Sequence, residues 1–397
     1  MEIVRELCSF ERRLAGTDAE RRAADRMAAR LREAGRKAEV EPIYVHPQVA
    51  LVYAAHSALG VAASLVAIPV PALGFALALF AATSMYLDMN ARFYLLRRIF
   101  FRRASQNVVS KGSRPTAPAR VVITAHLDAA RTGTAFSPLY MRLFGRISRL
   151  LPFAFSPTRV LFWSLALLIP LLAARMAGGD STALSLVQLP PTIALLCAVF
   201  AFVDIALSEV VAGANDNASG VAAAISLADQ LERTAPENLD VWVVLSGAEE
   251  CLMQGMRSFV RGHRKVLADR PTYFVNLDSV AGGEVRWTSS EGLAVSFDMG
   301  RRLNQLCAAI AEAAPSQNGD RPSALAWGMA SDMVPVRLAH FEAVTITTLP
   351  PGAIVAANYH RLADVPAAVD TKAIDRAHDF ALELVRQLDR DVGRRSS

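Results

Sequence analysis

The chain has 397 residues, 53% of them hydrophobic and 20% charged, with 42 Lys and Arg against 37 Asp and Glu for a formal net charge of +5. That length can bury a core of roughly 200 to 300 residues with material left over, and a mean hydropathy of +0.28 is high for a soluble enzyme. Four cysteines, Cys8, Cys197, Cys251 and Cys307, show neither paired nor zinc-knuckle spacing, so they read as reduced thiols and not as a disulfide framework.

Met1 to Glu41 is polar and carries charges of both signs, which makes a secretory signal a poor reading of it. Within it Thr17-Asp18 caps a helix expected over Ala19–Ala34, Gly35 stops it, and Val40–Val45 reads as a strand. From Pro42 to Leu87 there is no Asp, Glu, Lys or Arg. A membrane-crossing helix needs about 20 apolar residues, so this run predicts a hairpin of two, Ala50–Ala67 and Ala72–Leu87, turning at Pro69-Val70-Pro71. A second hairpin is expected at Val160–Ala174 and Pro191–Leu207, turning at Gly178-Gly179-Asp180, its first member short unless Arg175 snorkels to the interface. A single run of this kind is as readily a buried helix of a soluble core; four runs in two hairpins favour the membrane.

Between Ala91 and Arg159 thirteen Lys or Arg face one acid, Asp128, while the hairpin loops are almost free of basic residues. This distribution argues for a lipid bilayer and against nucleic acid as the partner of the positive charge. By the positive-inside rule both termini and the segment between the hairpins are cytoplasmic, and Arg97, Arg98, Arg102 and Arg103 are expected at anionic headgroups.

Outside the hairpins, β-branched runs at Asn107–Ser110, Arg120–Thr124, Asp240–Leu245, Tyr273–Leu277 and Ala343–Thr348 read as strands. Helical patterns at Ser219–Leu231, Leu252–Arg261, Ser296–Ala313 and Thr371–Leu388 separate most of them, and Gly393–Ser397 reads as a disordered tail. The alternation predicts an α/β domain around a largely parallel sheet. Its catalytic parts are expected at 1–47, 105–131 and 209–397. Residues 48–104 hold the first hairpin and a basic juxtamembrane segment, and 132–208 an insertion with the second hairpin.

Five segments carry chemistry: His126-Leu127-Asp128, Asn215-Asp216-Asn217, Glu249-Glu250, Asp278 and Tyr359-His360. Three of them close apolar strands, and the C-terminal ends of strands are where open α/β sheets place ligands. Each has an ordinary reading alone: a strand-end histidine, a helix cap, a solvated acidic loop. Together they supply two imidazoles and three carboxylates, the donors zinc takes, and these hold two metals if one carboxylate bridges. Of His126 and Asp128, two apart on a strand, one can bind metal while the other orients an imidazole. The adjacent Glu249 and Glu250 repel one another unless cations compensate; a metal on Glu250 leaves Glu249 as general acid and base. Tyr359 offers a hydroxyl donor, and Asp364, four residues after His360, an acid behind the ligands.

In order and local pattern these segments resemble metallopeptidase family 28, the dizinc aminopeptidases and their relatives, whose pattern is an H-x-D strand end, a G-x-x-D-N-x-S-G turn, a G-A-E-E strand end, an N-x-D strand end and a late Y-H. The resemblance implies a phosphorylase/hydrolase-like α/β sandwich, here with two inserted transmembrane hairpins, and two Zn2+ per chain. It implies that His126 and Asp278 bind one zinc, Glu250 and His360 the other, and that Asp216 bridges them. Glu249 then activates the water, Asp128 orients His126 and Tyr359 stabilises the oxyanion. Two departures stand out. Arg131–Ala212 intervenes where relatives usually pass from the H-x-D strand to the bridging Asp within about a dozen residues, and the Ser-Asp-His that the family often carries before its last strand reads Ser331-Asp332-Met333. The expected function is a membrane-anchored zinc aminopeptidase acting on peptides, with the catalytic domain cytoplasmic. Glutaminyl cyclase-like acyl transfer and a non-catalytic membrane scaffold are the alternatives, and the oligomeric state is left open.

Overall fold

The computed structural model describes residues 1–150, 156–179, 181–313 and 321–396. Among them nine strands form one sheet: β1 (Glu39–Val45), β2 (Arg103–Ser110), β3 (Ala119–His126), β4 (Leu239–Ser246), β5 (Thr272–Leu277), β6 (Glu284–Glu291), β7 (Phe297–Asp298), β8 (Ser323–Ala326) and β9 (Glu342–Leu349). The order is β1-β2-β4-β3-β5-β9-β6-β7, with β8 beside β6. The central strands β4, β3, β5 and β9 are parallel, and antiparallel pairs β2/β4 and β9/β6 flank them. The centre is buried on both faces, which is why β3, β4 and β5 read as nearly continuous apolar runs.

The helices are α1 (Glu2–Cys8), α2 (Asp18–Glu33), α3 (Val49–Val66), α4 (Pro71–Met89), α5 (Pro138–Leu150), α6 (Pro157–Met176), α7 (Thr182–Leu207), α8 (Gly220–Arg233), α9 (Gln254–Leu267), α10 (Arg301–Ala313), α11 (Met333–Leu338) and α12 (Thr371–Ser396). Alternate strand residues serve opposite faces. Val121, Ile123, Val243 and Val275 pack with α1, α2, α8, α10 and α12, whereas Val122, Trp242, Val244 and Phe274 pack with α9 and α11. The protein is therefore a three-layer mixed α/β fold whose sheet is parallel at its centre.

The helices α3, α4, α6 and α7 are each long and apolar enough, by length and composition, to cross a membrane. They form a separate bundle in which α3 packs on α4 and α7, and α4 on α6. Small residues set the close approach: a Cβ on Gly74 would lie 2.4 Å from that of Ala67, and one on Gly60 2.6 Å from Leu165 Cδ1. Leu252, Met253, Leu293 and Ala294 join the bundle's apolar cluster, so the bundle seats on the loops beyond β4 and β6.

Several expectations change in the structure. Arg97 does not face headgroups: it is buried and grips Asp88 through two bonds of 2.7 and 2.8 Å, with a third donated to the His46 carbonyl at 3.1 Å, because a charge buried at the end of α4 requires a partner. Arg98, Arg102 and Arg103 are exposed. Arg175 turns inward to Gln188 and Ser185 instead of snorkelling, and α6 gains length at its other end, where Ser156 caps Arg159. The last apolar helix begins not at Pro191 but at Thr182, capped by Ser181, and runs through Pro190-Pro191. Gly178 and Gly179 make the turn, and Asp180 lies outside the described residues. The helix after Glu250 starts at Gln254, since Leu252 and Met253 have positive φ, and that expected from Ser296 starts at Arg301 after the short β7. Residues Gly393 to Ser396 continue α12, so the tail is helical there; Ser397 lies outside the described residues. All four cysteines are unpaired.

Candidate metal centre

The C-terminal edges of β3, β4 and β5 deliver the first groups. His126 is the last residue of β3, Glu249 and Glu250 follow β4 by a three-residue step, and Asp278 follows β5 directly. Asp216 arrives on the turn before α8, and its peptide bond to Asn217 is cis. His126 Nε2 lies 3.2 Å from Asp216 Oδ1 and 3.9 Å from Asp278 Oδ1. His360 Nε2 lies 3.4 Å from Asp216 Oδ2 and 3.2 Å from Glu250 Oε2. Each oxygen of Asp216 thus faces one imidazole, and each imidazole Nε2 has one further carboxylate. One donor atom from each of His126, Asp216 and Glu250 lies within 4.8 Å of the other two.

The convergence is built by polar groups behind it. Both oxygens of Asp128 are used: Oδ1 accepts from Glu249 N–H at 3.0 Å and Oδ2 from Glu250 N–H at 3.1 Å. Oδ1 also sits 3.5 Å from His126 Nδ1, so one carboxylate fixes both the acidic loop and an imidazole. Asp364 does the same for the turn at Asp216, accepting from Asn215 N–H at 2.7 Å and Asp216 N–H at 3.1 Å. The two asparagines of that turn tie it to its neighbours. Asn215 donates to the Ala357 carbonyl, and Asn217 donates to the Leu277 carbonyl while accepting from Ser279 N–H.

Three supporting residues lie outside the sequence motifs. Buried Arg13 donates to the carbonyls of Leu127, Ala212 and Gly213, joining the end of β3 to the turn that carries Asp216. Glu20 accepts from Gly16 N–H, Ser105 Oγ and Ala248 N–H beneath the acidic loop. Asp332 accepts a short bond from Ser246 Oγ at the end of β4. Sequence offered a signal only for Asp332, through its place in the Ser331-Asp332-Met333 string. Arg13 and Glu20 act on distant backbone, and no local spacing encodes that.

Crowding these carboxylates away from water shifts their ionisation. Burial pushes Asp278 up to about 7 and raises Glu249 and Glu250, with the charge of Glu250 adding to the effect at Glu249 and that of Asp216 adding to it at Glu250. Burial alone would lower both histidines; instead His360 is raised to about 10 by Glu250 and Asp216, and His126 well above its usual range by Asp128 and Asp216. Asp216, between two imidazoles, is held below the usual carboxylate range despite its burial. The donor set, nitrogen and oxygen on five converging side chains with backing hydrogen bonds, fits a pair of divalent metal ions.

Glu249, Glu250, Tyr359 and His360 line a cavity of about 690 Å³. Phe136, from the insertion after β3, packs edge-on against His360 with ring centroids 4.6 Å apart, and Tyr359 stacks on His360 at 3.9 Å. Burial keeps the Tyr359 hydroxyl protonated well beyond the ordinary range. Nothing in the sequence marked Phe136; the insertion reaches the site by tertiary packing alone.

The family description Peptidase family M28 matches residues 194–385. That stretch contains Asp216, Glu249, Glu250, Asp278, Tyr359 and His360, while His126 and Asp128 lie upstream of it. No curated protein gives a significant match. Among solved structures the chain is similar to BSAP, a zinc aminopeptidase from Bacillus subtilis, at 13% identity and a TM-score of 0.56, with 98% of this chain and 94% of that one covered. It is also similar to a leucine aminopeptidase precursor from Bacteroides thetaiotaomicron VPI-5482, at 14% identity, TM-score 0.54, and 96% and 94% coverage. A Bacteroides thetaiotaomicron glutaminyl cyclase bound to N-acetylhistamine gives 13% identity, TM-score 0.54, and the same coverage. Likeness at this identity establishes a shared fold.

Proposed function

We propose that the chain is a membrane-spanning zinc peptidase of family M28, an aminopeptidase working at the cytoplasmic face on two zinc ions. The observation that carries this reading is Asp216 lying between two imidazoles, each with its own further carboxylate. On that geometry His126 and Asp278 would hold one ion and Glu250 and His360 the other, with Asp216 as the carboxylate common to both. Ions held there would acidify a bound water and polarise the scissile carbonyl.

The protein's residues do the rest. Glu249, which lines the cavity beside Glu250, takes a proton from the attacking water and returns it to the leaving amine. The Tyr359 hydroxyl donates to the developing oxyanion, and Asp128 keeps His126 and the Glu249-Glu250 loop in register. The membrane assignment is supported by the four apolar helices and by the large side chains they turn outward, such as Leu65, Phe80, Trp163, Leu196 and Phe200. The excess of Lys and Arg between Ala91 and Arg159, against hairpin loops almost free of them, supports a cytoplasmic catalytic face.

The test is a panel of aminoacyl, carboxy-terminal and dipeptide substrates assayed on the full chain with and without chelator. Cleavage of aminoacyl substrates that stops with chelator and returns with zinc is expected; no metal-dependent cleavage of any substrate would overturn the reading. Glutaminyl cyclase-like acyl transfer remains the second reading, favoured by the cyclase among the similar structures. One zinc per chain and cyclisation of an N-terminal glutamine would select it.

A further inference from the structure

We infer that the substrate carries a long apolar group that lies between the membrane helices while its scissile amide reaches the metal centre, so that the enzyme cleaves amphiphilic peptides and amides; this rests on the peptidase reading above. The cavity at Glu249 and Glu250 does not end as a side-chain pocket. It continues past Trp327 into the helix bundle, where Tyr53 of α3, Leu161 of α6 and Phe202 of α7 line it. At about 690 Å³ it falls within the range of sites that hold whole small ligands, and away from the carboxylates its wall is almost entirely apolar.

The helix α7 shows how the space arises. Ala194, Ala198, Ala201 and Ile205 recur at spacings of four, three and four, so they form one stripe along the helix, and all four line the cavity. At about 1.5 Å per residue the stripe runs roughly 16 Å, about half the ~30 Å hydrocarbon thickness of a bilayer. Other faces of the same helix expose Phe200 at 69% and Leu207 at 82%. One face of this helix thus lines the cavity while its other faces are exposed, so the same cavity is lined by Ala194 in mid-helix and by Glu250 beyond β4. A peptidase for soluble peptides needs an apolar pocket for one side chain; this one extends well past that into the bundle.

The experiment compares leucine butylamide with leucine dodecylamide on the full chain in lipid nanodiscs, for the unaltered protein and for Ala201→Trp and Ala198→Phe, which fill the stripe. Partition into the bilayer is common to all three proteins, so the ratio of kcat/KM for the two amides isolates the cavity. Burying a methylene is worth about fourfold (~0.8 kcal/mol), so the unaltered protein should favour the dodecylamide by at least about 100-fold, and the variants should lose at least about tenfold of that ratio. A photoactivatable dodecylamide added to chelator-treated protein should label 194–205 of α7, and the label should fall in both variants. An unchanged ratio in the variants, or label spread evenly over the outward helix faces, would overturn the inference while leaving the peptidase reading intact. Absence of chelator-sensitive cleavage of either amide would overturn that reading and the substrate assignment with it.

Discussion

Replacing Asp128 with Asn changes one atom's chemistry at the point where three parts of the site meet. The carboxylate accepts from Glu249 N–H at 3.0 Å and Glu250 N–H at 3.1 Å, and lies 3.5 Å from His126 Nδ1, with the residue fully buried. An amide offers one oxygen, so one backbone N–H keeps its acceptor and the other meets an NH₂ group. Losing a hydrogen bond to a charged acceptor costs about 1.5–3 kcal/mol. Expressed at the site it supports, that equals a loss of roughly 10- to 100-fold in metal affinity, the range found when partners of metal ligands are removed. Competition with a fluorescent zinc chelator measures the affinity, and circular dichroism checks that the fold survives. Zinc affinity unchanged within about twofold in a folded Asp128→Asn protein would refute the claim that this carboxylate orders the centre.

Three further outcomes follow from the same geometry. Glu249→Gln should retain both zinc ions and lose about 10²- to 10⁴-fold in kcat, as removal of a general base does; wild-type turnover would show that another group takes the proton. In metal-free protein, stability should fall as pH rises from about 5 to about 8. Burial lifts Asp364 from its ordinary 3.8 to about 7 and Glu20 from 4.5 to about 8, so the folded chain holds protons in this window that the unfolded chain has released. His360, raised from 6.5 to about 10, adds stability that is full below 6.5 and is lost towards 10, and Asp216, lowered from 3.8, loses its contribution only in acid, so the signs agree. Bound zinc favours the ionised forms and should offset the fall; a Tm that rises with pH in chelator would contradict the assignment. Finally, Gly74→Leu should destabilise the α3–α4 hairpin by at least about 1–3 kcal/mol, because its Cβ would sit 2.6 Å from Ala67 Cα and 2.7 Å from the Ala63 carbonyl oxygen. An unchanged melting temperature in detergent would show that the hairpin is not closely packed there.

What could be read from the residues divides along physical lines. Strands buried on both faces, such as β3 and β4, are continuous apolar runs, and the helix over Asp18–Glu33 has Thr17 accepting from Glu20 N–H at one end and Gly35 at φ +83° after the other. Such signals are local. The strand β6 was not legible, because Glu284-Val285-Arg286-Trp287 alternates a buried with a half-exposed residue and reads as a polar loop until a neighbour covers Val285 and Trp287. Arg97 looked like a headgroup contact because its partner, Asp88, sits nine residues away across a turn. The ligand types were visible as short motifs, but their meeting depends on contacts over more than a hundred residues, such as Arg13 to Gly213 and Asn215 to Ala357. Pro191 misled because proline favours the first turn of a helix, and here the Ser181 cap and the apolar run from Thr182 override it.

The central claim is that Asp216 stands between two metal ions held by His126, Asp278, Glu250 and His360. An anomalous difference map at the zinc edge, from crystals of the full chain, tests it most directly. Two peaks about 3.5–4 Å apart, one on each side of the Asp216 carboxylate and both lost in Asp216→Asn, are the expected result. A single peak, or peaks away from Asp216, would contradict it.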